Sequence, residues 1–404
     1  KILKMDIRRK LDMRLFFLNP FYMFASVFLF GIILFQLNLS ELYVNVDGAA
    51  IQSTVLLIIF FSFVAGWIYK LKFKKYIIDS TPNDSTKFNV IAVCTFIIMG
   101  IALEIYAAGL VPIMMVLQGS SYYYRDFGIA SFHVFFLSYI SASAIVGFER
   151  YLLFGTKKNL LITFLGVFFS VLIVNRAAML MILVPCFYLY LSHNKQKKAL
   201  AYILLLFLGV IIAFGYIGDK RMRSSGYTDE RPIFNVAKID STVLDVLPSG
   251  FTWFYIYISS PYANLLNQER NPKYGRGAID DFINVAILPD FISKRIDSTV
   301  RVRYPVVLIQ PQLTVTTGFG WAVSTFGILG ILLTYIYVCF LIVMFTFMNR
   351  KQHVRSILAI LATTASLMVF DNMFVFAACV TQLMLITLFS SRKLTLFGKQ
   401  VNLL

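Results

Sequence analysis

The sequence predicts an all-α polytopic membrane protein with about ten transmembrane helices (10–12), both termini cytoplasmic and a large loop on the opposite, outer face. Three observations predict it. Apolar residues make up 59% of the 404-residue chain and charged residues 14%, against roughly a quarter charged in soluble domains. The apolar residues fall in runs long enough to cross a bilayer, and lysine and arginine are sorted unequally between the connections. The chain reads as one integral membrane domain, 1–404, interrupted by the loop 219–317 between the seventh and eighth spans.

The first fourteen residues carry six Lys or Arg ahead of an apolar run. With no small-residue cleavage pattern, this start reads as a retained signal anchor. Runs near 20–38, 50–69, 88–107, 129–148, 199–217 and 319–347 each match the roughly 20 residues that cross about 30 Å of hydrocarbon. Two further apolar stretches, 159–192 and 355–389, are too long for one span, and each is interrupted by a polar pair, Asn175-Arg176 and Asp371-Asn372. Splitting them there yields two short helical hairpins and brings the count to about ten.

Sidedness follows from the flanks. With the amino terminus inside, the inner connections (1–14, 70–87, 150–158, 195–198, 350–355 and the tail after Arg392) collect 23 of the 37 basic residues. The short outer loops hold only Arg125 and Arg176, as positive-inside sorting requires. The other twelve basic residues lie in 219–317 with ten acidic ones. A connection of that length is expected to be a folded or re-entrant element. Within it, FTWFYIYISSPYANLL, 251–266, reads as a helix at or dipping into the outer interface, where Trp and Tyr are favoured.

The net charge of +17 sits mainly beside apolar runs, which turns the expectation away from nucleic acid. Cys94, Cys186, Cys339 and Cys379 all fall inside apolar runs. With no Cys/His cluster, paired-acid motif or Gly-rich phosphate loop, no metal, nucleotide or other cofactor is expected.

Ionisable residues at membrane depth are costly and therefore candidates for function. Arg176, at an outer hairpin turn, either grips a phosphate at headgroup level or snorkels to the interface. Arg125, after Tyr122, Tyr123 and Tyr124, is a second cation or an ion-pair partner of Asp126. KRMR at 220–223 and RVRYP at 301–305 flank the ends of the loop, and Arg301 and Arg303, spaced i, i+2 in an extended segment, would converge on one anion. Outer carboxylates that would serve as a base are Glu104, Asp126, Glu269, Asp280, Asp281, Asp290 and Asp371. Glu104 is either catalytic or a buried partner for an arginine, and Asp371 either catalytic or paired with Arg176. His133 reads as a helix-packing histidine.

NRAAML at 175–180, the late loop 219–317, and LTVTTGFGWAVSTFGILG at 313–330, with Thr314, Thr316, Gly318, Gly320, Gly327 and Gly330, together resemble the Wzy-type O-antigen and capsular repeat-unit polymerases. The glycines equally permit close helix packing. Where that family often has an acidic residue before its first glycine, this chain has Gly318-Phe319-Gly320, so no carboxylate carries over there. The loop lacks the histidine that the related O-antigen ligases use.

The resemblance implies a bacterial inner-membrane glycosyltransferase. It would join undecaprenyl-diphosphate-linked oligosaccharides at the periplasmic face, amid membrane lipids and with a chain-length-regulating membrane protein as a partner. Arg176, then Arg301, Arg303 and Arg125, would hold the departing diphosphate. Tyr122, Tyr123, Tyr124, Trp253, Tyr255 and Tyr257 would stack on sugars or anchor at the interface, and Asp371, Glu104 and Asp281 are the candidate bases. A lipid-linked oligosaccharide flippase is the alternative from another class, expected to show repeated halves and no large outer loop. A non-enzymatic scaffold would leave Arg176 replaceable.

Overall fold

The computed structural model describes residues 15–79, 89–118, 127–193, 208–209, 211–212, 215–220, 222–223, 226–240, 248–349, 353–390, 394–396 and 399–401. The basic amino-terminal segment 1–14, the Tyr122–Arg125 loop, the inner basic segment 195–198 and most of the run 199–217 lie outside these residues.

The chain is a helical multi-pass membrane protein. In order, its helices are α1 (Pro20–Gln36), α2 (Ala49–Asp79), α3 (Val90–Ala108), α4 (Pro112–Leu117), α5 (Phe132–Phe154), α6 (Lys158–Leu172), α7 (Arg176–His193), α8 (Pro232–Val236), α9 (Ser249–Leu266), α10 (Ile279–Ala286), α11 (Asp290–Ile296), α12 (Val300–Arg303), α13 (Gly320–Met348), α14 (Val354–Leu367) and α15 (Ala377–Ser390). A two-stranded antiparallel hairpin, β1 (Leu394–Leu396) and β2 (Lys399–Val401), follows. Among the described residues, five helices are long and apolar enough to cross a membrane: α2, α3, α5, α7 and α13. Four shorter apolar helices, α1, α6, α14 and α15, pack among them.

Both over-long apolar stretches break at their polar pairs. Val174 takes a positive φ of 55°, and the Asn175 Oδ1 accepts from Ala178 N at 3.0 Å. A short amide in that position caps the exposed N–H groups of a new helix, so α7 begins at Arg176. Likewise α14 ends at Leu367, and α15 begins at Ala377 after a turn that contains Asp371 and Asn372.

Hydroxyl pairs rivet the helices together inside the apolar core. Ser62 Oγ meets Tyr335 Oη at 2.8 Å and Tyr69 Oη meets Thr346 Oγ1 at 2.6 Å, joining α2 to α13. Tyr188 Oη meets Ser366 Oγ at 2.8 Å, joining α7 to α14. At the other end of α14, the buried Glu149 of α5 accepts from Ser356 Oγ at 2.5 Å, with His353 Nδ1 at 3.5 Å.

The helix at 251–266 forms, as Ser249–Leu266, and is not among the helices apolar enough to cross. It lies against the later half of α1, with Phe254 on Phe30 at 6.1 Å and Tyr262 on Phe35 at 5.4 Å between ring centroids. Glycines bring it against the helical residues of 208–220. A Cβ on Gly215 would fall 2.3 Å from Gly250 Cα, and one on Gly218 2.6 Å from the Trp253 ring. Small residues of this kind let two backbones touch where lipid supplies no hydrophobic drive.

α13 is broken near its start. Gly327 takes φ 63° and ψ −148°, outside helical geometry, and lies against Gly275 of the loop. The seven residues 320–326 thus form a separate bent piece, and the straight remainder, 328–348, is about 31 Å long. Only glycine adopts such a conformation without strain of about 1–3 kcal/mol. Gly327→Ala is therefore expected to lower the unfolding temperature clearly, whereas Gly209→Ala, with nothing within 4 Å of the added carbon, is expected to leave it within error. Thermal denaturation in detergent measures both.

Candidate functional site

The stretch from Tyr304 to Thr317 is irregular between α12 and α13, bending and turning at 309–312, with no strand beside it. Its peptide groups must find partners elsewhere, and amide side chains at i, i+3, i+4 and i+7 on one face of α9 and the turn after it supply them. Asn264 Nδ2 donates to Leu313 O and Val315 O, both at 2.7 Å, while its Oδ1 accepts from Ile309 N at 2.8 Å. Gln268 exchanges two bonds with Val307, at 2.9 and 3.1 Å. Asn267 donates to Val307 O at 3.2 Å and Asn271 to Pro305 O at 2.7 Å.

This amide ladder sets one wall of a cavity of about 310 Å³. Gln312 and Leu313 come from the irregular stretch, Trp253 and Tyr257 from α9, Arg176 from the start of α7, and Gly218, Met222, Tyr227, Ile233 and Val236 from the first part of the loop. Trp253 and Tyr257, one helical turn apart, have centroids 5.8 Å apart at an interplanar angle of 41°. The indole is pinned: Nε1 donates to Asp219 Oδ1 at 2.9 Å, and Asp219 itself is buried. Gln312 Nε2 donates to Tyr227 Oη at 3.3 Å. One exposed guanidinium, two adjacent aromatic rings and an amide thus face a common space, a combination that suits an anion attached to a sugar.

Of the residues singled out from sequence, Arg176, Trp253 and Tyr257 meet here. Tyr255 does not. It is 4% exposed, its Oη accepts from Leu39 N at 3.0 Å, and its ring lies 6.0 Å from Tyr43. The helical period explains this, because 253 and 257 share a face from which 255 is turned away.

Arg301 and Arg303 do not converge. Residues 300–303 form a helical turn rather than an extended strand, so i and i+2 point apart. Arg301 lies over the Trp321 ring at 4.9 Å. Arg303 bonds Asp281 at 3.0 Å and Asp297 at 2.5 Å. The turn starts at Asp297, whose Oδ1 accepts from Thr299 N at 2.8 Å and Thr299 Oγ1 at 2.7 Å.

The three candidate bases lie away from the cavity lining. Asp281 is buried and paired with Arg303. Glu104 is fully buried and pairs with His133 Nδ1 at 2.8 Å, a histidine rather than an arginine. Asp371 is partly exposed in the turn before α15, where its Oδ1 accepts from Asn372 N at 2.7 Å. Burial pushes its carboxyl above the usual carboxylate range, opposed by that N–H and by the Arg301 guanidinium. Arg125, Tyr122, Tyr123, Tyr124 and Asp126 lie outside the described residues.

Among the other outer carboxylates, Glu269 accepts from Ile51 N at 3.2 Å and Asp290 from Ala377 N at 2.8 Å. The carboxylate nearest to the cavity in sequence, Asp219, escaped the sequence reading. Its one signal was position, as the first acidic residue after the run 199–217.

No family model, no curated protein and no solved structure matches this chain.

Two outcomes follow from the geometry. Asp219→Ala is expected to red-shift the Trp253 emission, read as the difference from Trp253→Phe, while Asp219→Asn, which keeps an acceptor oxygen, leaves it in place. Asn264→Ala strips partners from two carbonyls and one N–H, a loss of about 1–3 kcal/mol for each group left buried and unpaired. Limited proteolysis is expected to cut that variant within 305–315 at protease levels that spare the parent.

Proposed function

We propose that this protein polymerises undecaprenyl-diphosphate-linked oligosaccharide repeat units at the periplasmic face of a bacterial inner membrane, making O-antigen or capsule-like polysaccharide. The observation that carries this reading is the meeting of Arg176 with Trp253 and Tyr257 at one cavity, because a lipid-linked glycan offers a diphosphate beside a sugar ring. The topology that goes with it has ten spans. The five long helices, the four shorter apolar ones and the run 199–217 each cross once, both termini lie inside, and 219–317 lies outside.

In the reaction, the bond between the anomeric carbon of the growing chain and its lipid diphosphate breaks. A hydroxyl of the incoming repeat unit forms the new glycosidic bond, and its proton passes to water, since Asp371, Glu104 and Asp281 all lie away from the cavity lining. Negative charge grows on the leaving diphosphate, so a guanidinium fixed at a helix start stabilises the transition state more than the ground state. Arg176 presents paired donors to phosphate oxygens. Trp253, locked by Asp219, offers a rigid face for the sugar next to the diphosphate.

The test uses purified protein in detergent with lipid-linked repeat units, following product length. Arg176→Ala is expected to lower kcat by about 10²–10³, and Arg176→Lys to restore only part of it, with unfolding temperatures like the parent's. Trp253→Ala is expected to raise KM more than it lowers kcat. Lengthening that survives in Arg176→Ala rules out this assignment. Parent protein that moves lipid-linked units across proteoliposomes without lengthening them is a flippase instead.

A further inference from the structure

The large loop carries an apolar surface that the cavity does not use. Helices α10 and α12 share a small core in which Phe282, Val285, Ala286 and Val300 pack on Ala322 of the bent piece of α13, and α11 is tied to α10 by the bond between the buried Ser293 and Asn284. Phe282 stacks on Phe326 at 5.5 Å. Outside this core, Ile279, Ile283, Phe291, Ile292, Ile296 and Val302 are exposed, from 37% at Ile292 to 79% at Val302. Six large apolar side chains on three adjoining short helices exceed the scattered exposure that a water-facing surface tolerates.

Their depth says what covers them. α14 and α15 have 14 residues each, about 21 Å of helix, against roughly 30 Å of hydrocarbon. α14 starts beside Glu149 near the far end of α5, so α14 and α15 cross only a locally thinned bilayer, and the turn between them lies below the headgroup level of the leaflet around it. α10 and α11 sit directly on that turn. Asn372 Nδ2 donates to Ala286 O at 2.9 Å, Asp290 N to Val375 O at 2.8 Å, and the Asp290 carboxylate caps α15 through Ala377 N at 2.8 Å. Phe291 follows immediately, and both it and Phe376, the residue before Ala377, are exposed. These helices therefore lie within the thickness that the two short spans leave unfilled. Residues 273–303 hold six Lys or Arg (Lys273, Arg276, Lys294, Arg295, Arg301, Arg303) against four Asp.

We propose that α10–α12 form a monotopic element that beds these apolar side chains in the bilayer leaflet on the loop's side, with Lys294 and Arg295 on anionic lipid headgroups. An exposed apolar face with basic neighbours is the signature of helices that lie in the membrane interface. This goes beyond the glycosyl-transfer reading and does not depend on it.

The test uses the full chain in proteoliposomes, with Ile296→Cys carrying a bimane label in a Cys339→Ala background, the other three cysteines being buried. Lys273→Cys is the water-facing control, and Val302→Cys a second reporter should Ile296→Cys fail to fold. The expected result is blue-shifted emission, quenched several-fold more than the control by lipids brominated high on the acyl chain and shielded from aqueous iodide. Omitting anionic lipid is expected to shrink the shift, and insensitivity to that omission overturns the headgroup contact. Iodide quenching equal to the control overturns the proposal. So does shielding without bromolipid quenching, which together with a disulfide between two Ile296→Cys chains would make this face an interface between copies.

Discussion

A peptide group out of reach of water needs a hydrogen-bond partner, and where this chain interrupts its helices a side chain often supplies one. Asparagine and aspartate do so repeatedly. Asn19 accepts from Phe21 and Tyr22 N–H groups while donating to Gly66 O at 2.8 Å, fixing the start of α1 against α2. Asn175 starts α7, Asp290 caps α15, and Asn264 with its neighbours holds the stretch 304–317. The breaks they close place half of the cavity lining: Arg176 at one, Gln312 and Leu313 on another, Trp253 and Tyr257 on the helix that carries the ladder itself.

The hairpins were legible in the sequence because a polar pair in the middle of an apolar run can only be a turn or a buried site. Trp253, Tyr255 and Tyr257 were singled out together, and Tyr255 was misplaced because an aromatic cluster hides which face each ring takes. Arg301 and Arg303 look extended beside Pro305 and two valines, yet Asp297 and Thr299 close a local turn that winds them apart. The ladder was not legible at all, since amides at helical spacing read as a solvated face. Asp219 and the Gly215–Gly250 crossing depend on contacts between segments far apart in the chain, which no local pattern reports.

Charge in this protein divides into two kinds. Asp281 with Arg303, Glu104 with His133 and Glu149 with Ser356 are spent on holding elements together. Arg176 and Asp371 stand at turns, the first exposed and the second partly exposed. The Trp253–Asp219 bond links the two kinds, since a buried carboxylate there fixes a ring that remains accessible.

The amide ladder grips main chain and not side chains. Asn264 reads the carbonyls of residues 313 and 315 and the N–H of residue 309, whatever those residues carry. The path of the cavity wall is thereby separated from its chemistry: positions 312 and 313 are free to drift to other side chains while the backbone stays where it is. Lineages whose cavity must take a different ligand have in such a wall a surface that selection can repaint without refolding the protein around it.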